Sequence, residues 1–241
     1  KEGVSEFAAP QGSKTFSYYS YTTGKNSKLP AGISSVAFSP SGDRITYFKQ
    51  EQDGLSGLFV SAPDGSAPQK IMTTRILDAE VFWPTKDSIS LRSKDDNGIS
   101  SLFFVSLDGK ISKIISDKSR LSIKWGLDGK TLLVSYANDV GNVLSVIDPI
   151  NGTEKKLPSD ADAKECAWSS PDSIVCRLGG TIDGQPQTKG LYDIHTTKDT
   201  VIYVPGSSAA GNGVGEILVD PTNSYILFTT SRDGKLFSVE R

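Results

Sequence analysis

Two residues in this 241-residue chain pair redox chemistry with an informative spacing: Cys166 and Cys176, the sole cysteines. They flank the run AWSSPDSIV symmetrically about Pro171, which places them opposite each other on the two strands of a tight hairpin. Facing positions on paired strands bring Cα atoms to ~4.5–5.5 Å, inside the window a disulfide accepts. A bond closing so small a loop is worth about 2–3 kcal/mol by the chain-entropy model. The competing reading is a pair of buried thiols; metal ligation would need more than two ligands. If the pair is oxidised, the protein lives outside the cytoplasm.

The other candidate chemistry is weaker. His195, the only histidine, ends a strand in YDIHTTKD and is expected near the surface. A catalytic role would require a nucleophile or carboxylate brought to it from another blade. Asp43, Asp87, Asp128 and Asp172 recur in equivalent turns, where Asp bonds its own backbone. A glycosidase would instead need two carboxyls held ~5–9.5 Å apart, one raised in pKa. Tyr18, Tyr19 and Tyr21 beside Phe16 could stack a sugar or peptide, or form a strand with alternate rings packed inward. GNGVG at Gly211 to Gly215 lacks a strand-to-helix context and suggests a flexible link; no phosphate loop, zinc spacing or calcium loop is present. No catalytic, cofactor-binding or metal-binding residue is therefore assigned.

These residues sit in a repeated frame. VAFSPSGDRITYF from Val36 is echoed by VFWPTKDSISL, IKWGLDGKTLLVSY, CAWSSPDSIVC and ILVDPTNSYILF, each two alternating strands around a Pro/Asp/Gly/Asn turn. The residues before the turn, Phe38, Trp83, Trp125, Trp168 and Val219, recur at roughly 45, 42, 43 and 51 residues, against ~40–45 for a propeller blade. Trp83, Trp125 and Trp168, equivalent by position, are expected to fill the wedge between neighbouring sheets. The long last interval contains GGTIDGQPQTKG, Gly179 to Gly190, an insertion expected to loop out and to offer Asp183, Gln185 and Gln187 to a partner. A third and a short fourth strand follow each hairpin, and helix is almost absent. FSYYSYTTGKNSKLP near the start copies the third-and-fourth-strand pattern, its Leu29-Pro30 matching Leu157-Pro158, while the last unit stops after a third strand.

The chain carries 26 basic and 28 acidic side chains, a formal net charge of −2, which excludes nucleic-acid binding by bulk charge. Its 37% hydrophobic content supports a sizeable core rather than disorder. No run approaches the ~18–20 apolar residues that span a membrane. Lys1 in place of Met predicts an upstream segment that has been removed, which leaves room for an upstream anchor.

FSPSGDRITYF, WGLDGKTLLVSY and WSSPDSIVC, with their following PDG, LDG and PING turns, resemble the TolB-type, WD-like β-propeller repeats of bacterial envelope proteins. The resemblance covers Ile33 to Arg241 and the first thirty residues in part. The order of units is also similar to the C-terminal part of uncharacterised, membrane-anchored bacterial propellers with further blades upstream. The Trp-Asp dipeptide of eukaryotic WD repeats is missing, and the structural triad that accompanies it is expected to be missing too.

The expected fold is all-β, a propeller of four-stranded antiparallel blades. About five blades are expected in this chain, or six or seven with an upstream region. Residues 1–241 are expected to form a single domain with repeats at about 33–74, 75–117, 118–159, 160–206 and 207–241. Residues 1–32 are expected to form a partial blade, and a strand from residues 14–29 is expected to close the ring with residues 215–241. The expected function is a monomeric, non-catalytic platform for a protein or peptide, without a cofactor, in the periplasm or at the cell surface of a bacterial envelope. The alternatives are a funnel-site glycan hydrolase and a lectin-like propeller.

Overall fold

Local turn chemistry builds the strands of this protein in antiparallel runs. Asp128 accepts the backbone N–H groups of Lys130 and Thr131 at 2.8 and 3.0 Å. Asp220 does the same for Ser224 and Tyr225, at 2.7 and 2.5 Å. Between such turns the β-branched and aromatic residues alternate between two faces, as a pleated strand requires. The computed structural model describes residues 2–8, 14–95, 97–178, 181–182, 185–186 and 188–241. They fall into two compact units, Lys1–Asp117 and Lys118–Arg241.

The first unit contains three sheets. The first comprises β1 (Glu2–Ala8), β2 (Lys14–Ser20) and β3 (Asn26–Lys28), in that order. The second is β4 (Ile33–Phe38), β5 (Ile45–Gln50), β6 (Ser56–Ser61) and β7 (Gln69–Thr74). The third is β8 (Asp78–Thr85), β9 (Ser88–Lys94), β10 (Ile99–Ser106) and the opening of β11 (Ile111–Trp125). All are simple meanders, so each strand lies beside its chain neighbour. Within residues 14–29, β2 has β1 on one edge and β3 on the other. β1 is a strand that the repeat pattern did not anticipate.

In the second unit, the part of β11 from Ser119 pairs β12 (Leu132–Asn138), followed by β13 (Gly141–Asp148) and β14 (Thr153–Lys156). Within β11, Asp117 and Arg120 stand at φ 46° and 54°. Next come β15 (Cys166–Ser170), β16 (Ser173–Leu178), the two-residue β17 (Thr181–Ile182) and β18 (Gln185–Pro186), β19 (Gly190–His195) and β20 (Val201–Tyr203). β15, β16, β19 and β20 form one sheet, and β17 pairs β18 by itself. A three-stranded sheet of β21 (Val214–Val219), β22 (Tyr225–Thr230) and β23 (Leu236–Glu240) ends the unit. Two 3-10 turns, Ala163–Glu165 and Ser207–Asn212, are the helical segments among the described residues. The second of these, together with the start of β21, occupies Gly211 to Gly215, in the connection between the sheet ending in β20 and the sheet starting with β21.

The cores lie between consecutive sheets. Phe16, Tyr18 and Leu29 pack on Ile33, Ile45 and Tyr47. Phe48, Leu58 and Val60 pack with Val81, Trp83, Ile89, Leu91 and Val105. In the second unit, Leu133 and Leu144 meet Trp168, Ile174 and Ile194, while Val175 and Leu191 meet Ile217, Ile226 and Phe228. Trp83 and Trp168 therefore fill wedges between sheets, as predicted from their equivalent positions, whereas Trp125 is only half-buried and belongs to none of these clusters. The Leu-Pro equivalence also holds. The N–H groups of Leu29, Leu157 and Val204, each followed by Pro, bond the carbonyls of Phe16, Leu144 and Leu191, all at 2.9 Å.

Candidate functional site

Cys166 and Cys176 are directly opposed on β15 and β16, with Cα atoms 4.0 Å apart and the sulfurs bonded at 2.04 Å. A bulge between Trp168 and Ser170 absorbs the odd residue near the turn, leaving the register at the cysteines intact. Both are fully buried, and the hairpin they staple starts the fourth repeat. Lys124 reaches it from β11: its ammonium donates to the Cys166 carbonyl, and the Trp168 indole N–H donates to the Lys124 carbonyl at 3.3 Å. Burial lowers the pKa of this lysine, with the Glu216 carboxylate pulling the other way. The lysine in IKWG was not singled out in sequence because nothing local marks it.

Nothing in the sequence linked His195 to the turn aspartate Asp172. The structure places Asp172 Oδ2 3.2 Å from His195 Nε2, because β16 pairs β19 and the two turns close the same end of the sheet. The carboxylate comes from the same repeat rather than from another one. Ser170 donates to Asp172 at 2.7 Å and, with His195, holds that carboxyl below its usual range. The Thr197 hydroxyl lies 3.1 Å from His195 Nδ1 and its N–H 3.4 Å from the same atom, so the imidazole fastens a local turn. Asp43 is lowered by the Ser41 and Ser39 hydroxyls. Asp128 is lowered although partial burial works against it, because two N–H groups and the Thr131 hydroxyl outweigh that cost. Asp87 lies 4.0 Å from the Lys86 ammonium.

Of the insertion, Gln185 is exposed and pairs with Ile182 across a two-residue ladder. Asp183 and Gln187 lie outside the described residues. Near the start of the chain, Phe16 and Tyr18 are buried, while Tyr19 and Tyr21 are exposed and meet edge to face at 4.9 Å.

The first unit holds an open groove of about 540 Å³ where β4 faces β8, each the edge strand of its own sheet. Its walls include Ser34, Ser35 and Ala37 on one side and Asp78, Glu80 and Phe82 on the other, with Arg92 and Lys94 from β9. The Val81 N–H is taken by the Ser35 hydroxyl at 3.0 Å, which ties the two edges at one point. Register sets Asp78 opposite Lys94 and Glu80 opposite Arg92, and the second pair forms an ion pair. Alternation on β8 puts both carboxylates on one face. The sequence did not disclose this groove, because it depends on which edges of two separate repeats converge.

No protein-family profile and no curated protein matches the chain. Solved structures do. TolB from Acinetobacter baumannii superposes with a TM-score of 0.66 at 12% identity, over 99% of this chain and 61% of that one. The β-propeller domain of the Trilobed protease from Pyrococcus furiosus gives 0.67 at 13% identity, over 98% and 76%. An oligogalacturonate lyase from Vibrio parahaemolyticus gives 0.63 at 10% identity, over 97% and 75%. The chain thus spans about three fifths of the TolB chain. At these identities the likeness concerns fold, and the fold is a TolB-like, all-β propeller built of antiparallel blades.

Proposed function

We propose that this chain is a non-catalytic propeller scaffold that binds a protein or peptide at the bacterial cell envelope. The observation that carries the reading is the groove between β4 and β8. Two strand edges border one cleft, and an extended peptide recognises strand edges through its main chain while opposed charges select its side chains. The disulfide supports an extracytoplasmic location, periplasmic or at the surface, since such bonds persist in oxidising compartments. No helix among the described residues is long and apolar enough to cross a membrane. The insertion around Gln185 is a second contact surface in this reading.

A glycan hydrolase and a sugar-binding propeller are the rivals. The turn aspartates Asp43, Asp128 and Asp172 are engaged with their own turns, which speaks for structural roles. A photo-crosslinking amino acid placed at Phe82, in the groove, should give protein adducts in the native compartment. The same probe at Lys70, on the outer strand β7, should give none. Equal labelling from both sites, or release of sugar fragments from envelope glycans by the purified protein, would replace this reading.

A further inference from the structure

The first unit has a second, smaller cleft of about 330 Å³, lined in part by the link between β7 and β8 and near the lower end of small-ligand sites at roughly 300 Å³. Lys94 lines both clefts. Arg75 and Leu77 come from the link, Asp95 and Ile99 from the turn between β9 and β10, and Asp117 from β11.

The two signs of charge in this cleft are in different conditions. Asp95 Oδ1 already accepts the N–H groups of Asn97 and Ile99, at 3.0 and 2.7 Å. Asp117 Oδ1 accepts the Ser101 hydroxyl at 3.0 Å, and the same hydroxyl receives the Asp117 N–H. Both carboxylates are thus fixed by hydrogen bonds within the protein. Arg75 and Lys94 are exposed, and among the described residues neither forms an ion pair, although Asp78 stands opposite Lys94 in the strand register. The cleft therefore presents uncommitted cations beside an apolar wall. Leu77, 56% exposed, and the half-buried Ile99 both line it. A guanidinium and an ammonium beside an apolar surface match a carboxylate carried on an apolar residue.

We propose that this cleft binds the C-terminal residue of a peptide, its free carboxylate held by Arg75 and Lys94 and an apolar side chain resting on Leu77 and Ile99. The proposal rests on the reading of the chain as a peptide-binding scaffold and adds which end of the peptide is recognised. A cleft of this volume admits one residue of ordinary size, and the shared Lys94 lets the preceding residues continue toward the groove between β4 and β8.

The test uses a fluorescein-labelled pentapeptide of four alanines and a C-terminal leucine, as free acid and as C-terminal amide, titrated against the full chain by fluorescence polarisation. The free acid should bind about tenfold more tightly than the amide, as expected when hydrogen bonds to a charge are removed. Arg75→Ala with Lys94→Ala should abolish that preference, and raised salt should weaken it. Leu77→Ser should weaken the free acid severalfold while keeping the preference. Both substituted cations are exposed, so circular dichroism should be unchanged. Free leucine that competes as well as the pentapeptide would show a small-acid site and overturn the peptide assignment. Equal binding of acid and amide, or no binding of either, would overturn the proposal even if the Phe82 adducts form; absent adducts would remove the scaffold reading itself.

Discussion

The Cys166–Cys176 bond and the capping carboxylate Asp162 lie close together in the second unit, and each makes a measurable contribution. Closing a loop of sequence separation 10 removes conformational freedom from the unfolded chain, so Cys166→Ala with Cys176→Ala should lower unfolding stability by about 2–3 kcal/mol in urea. Unreduced protein should show no alkylatable thiol by intact mass. Asp162 caps the short helical turn that follows it, accepting the Lys164 N–H at 3.0 Å and the Ser135 hydroxyl at 3.2 Å. Burial raises its pKa, but that N–H and the Ser122 hydroxyl outweigh it, so the folded value lies below the unfolded one. A depressed carboxylate gives stability that is present above the unfolded pKa, about 3.9, and is lost as pH falls through the folded pKa. Urea midpoints measured from about pH 5 to pH 2 should therefore fall more steeply for the natural protein than for Asp162→Asn, which keeps a good cap but does not titrate. Parallel curves would deny the residue this role. The cysteine register was legible in sequence because symmetry about Pro171 is a local property. The Asp172–His195 contact was not, since a turn aspartate satisfies itself equally well without a distant partner.

At the scale of elements, the hairpins were readable for the same local reason: Pro, Asp, Gly and Asn dictate a reversal whatever lies beyond it. Strand β1 was not, because it lies ahead of the repeat pattern and has no counterpart in it, and pairing with β2 makes it a strand. The helical turn Ser207–Asn212 escaped too, being too short for a periodic signal. One turn glycine does more than reverse the chain. Gly109, at φ 85° between β10 and β11, sits where a Cβ would lie 2.6 Å from the Ile71 carbonyl oxygen on β7, so this turn presses on the neighbouring sheet. Gly54, at φ 70°, has nothing within 4 Å of the same point. Gly54→Ala should cost only the left-handed backbone penalty, about 1 kcal/mol. Gly109→Ala must also displace backbone, and a total of roughly 2–3 kcal/mol is expected. Equal losses in thermal unfolding would mean that β7 and this turn are not in firm contact.

For the molecule as a whole, stability follows from how the wedges between sheets are shared out. Each buried cluster joins consecutive sheets inside one unit, as Trp83 does with Phe48, Leu58 and Val81 in the first and Trp168 with Leu133 and Ile174 in the second. Where each repeat depends on its neighbours, stability approximates a sum of local and nearest-neighbour contributions, and opening can be sub-global. Trp83→Ala removes a ring that is 6% exposed and contacts the Arg44 guanidinium at 5.1 Å to its centroid. Truncating a buried aromatic of this size costs about 3–5 kcal/mol at the site. Amide hydrogen exchange should then accelerate in β4 to β6 and β8 to β10, where the wedge is emptied. Protection in β15, β16, β19 and β22 should persist, because their own clusters are untouched. A uniform loss of protection along the chain would show instead that the blades unfold as one cooperative body, with the cost of any single wedge borne by all of them.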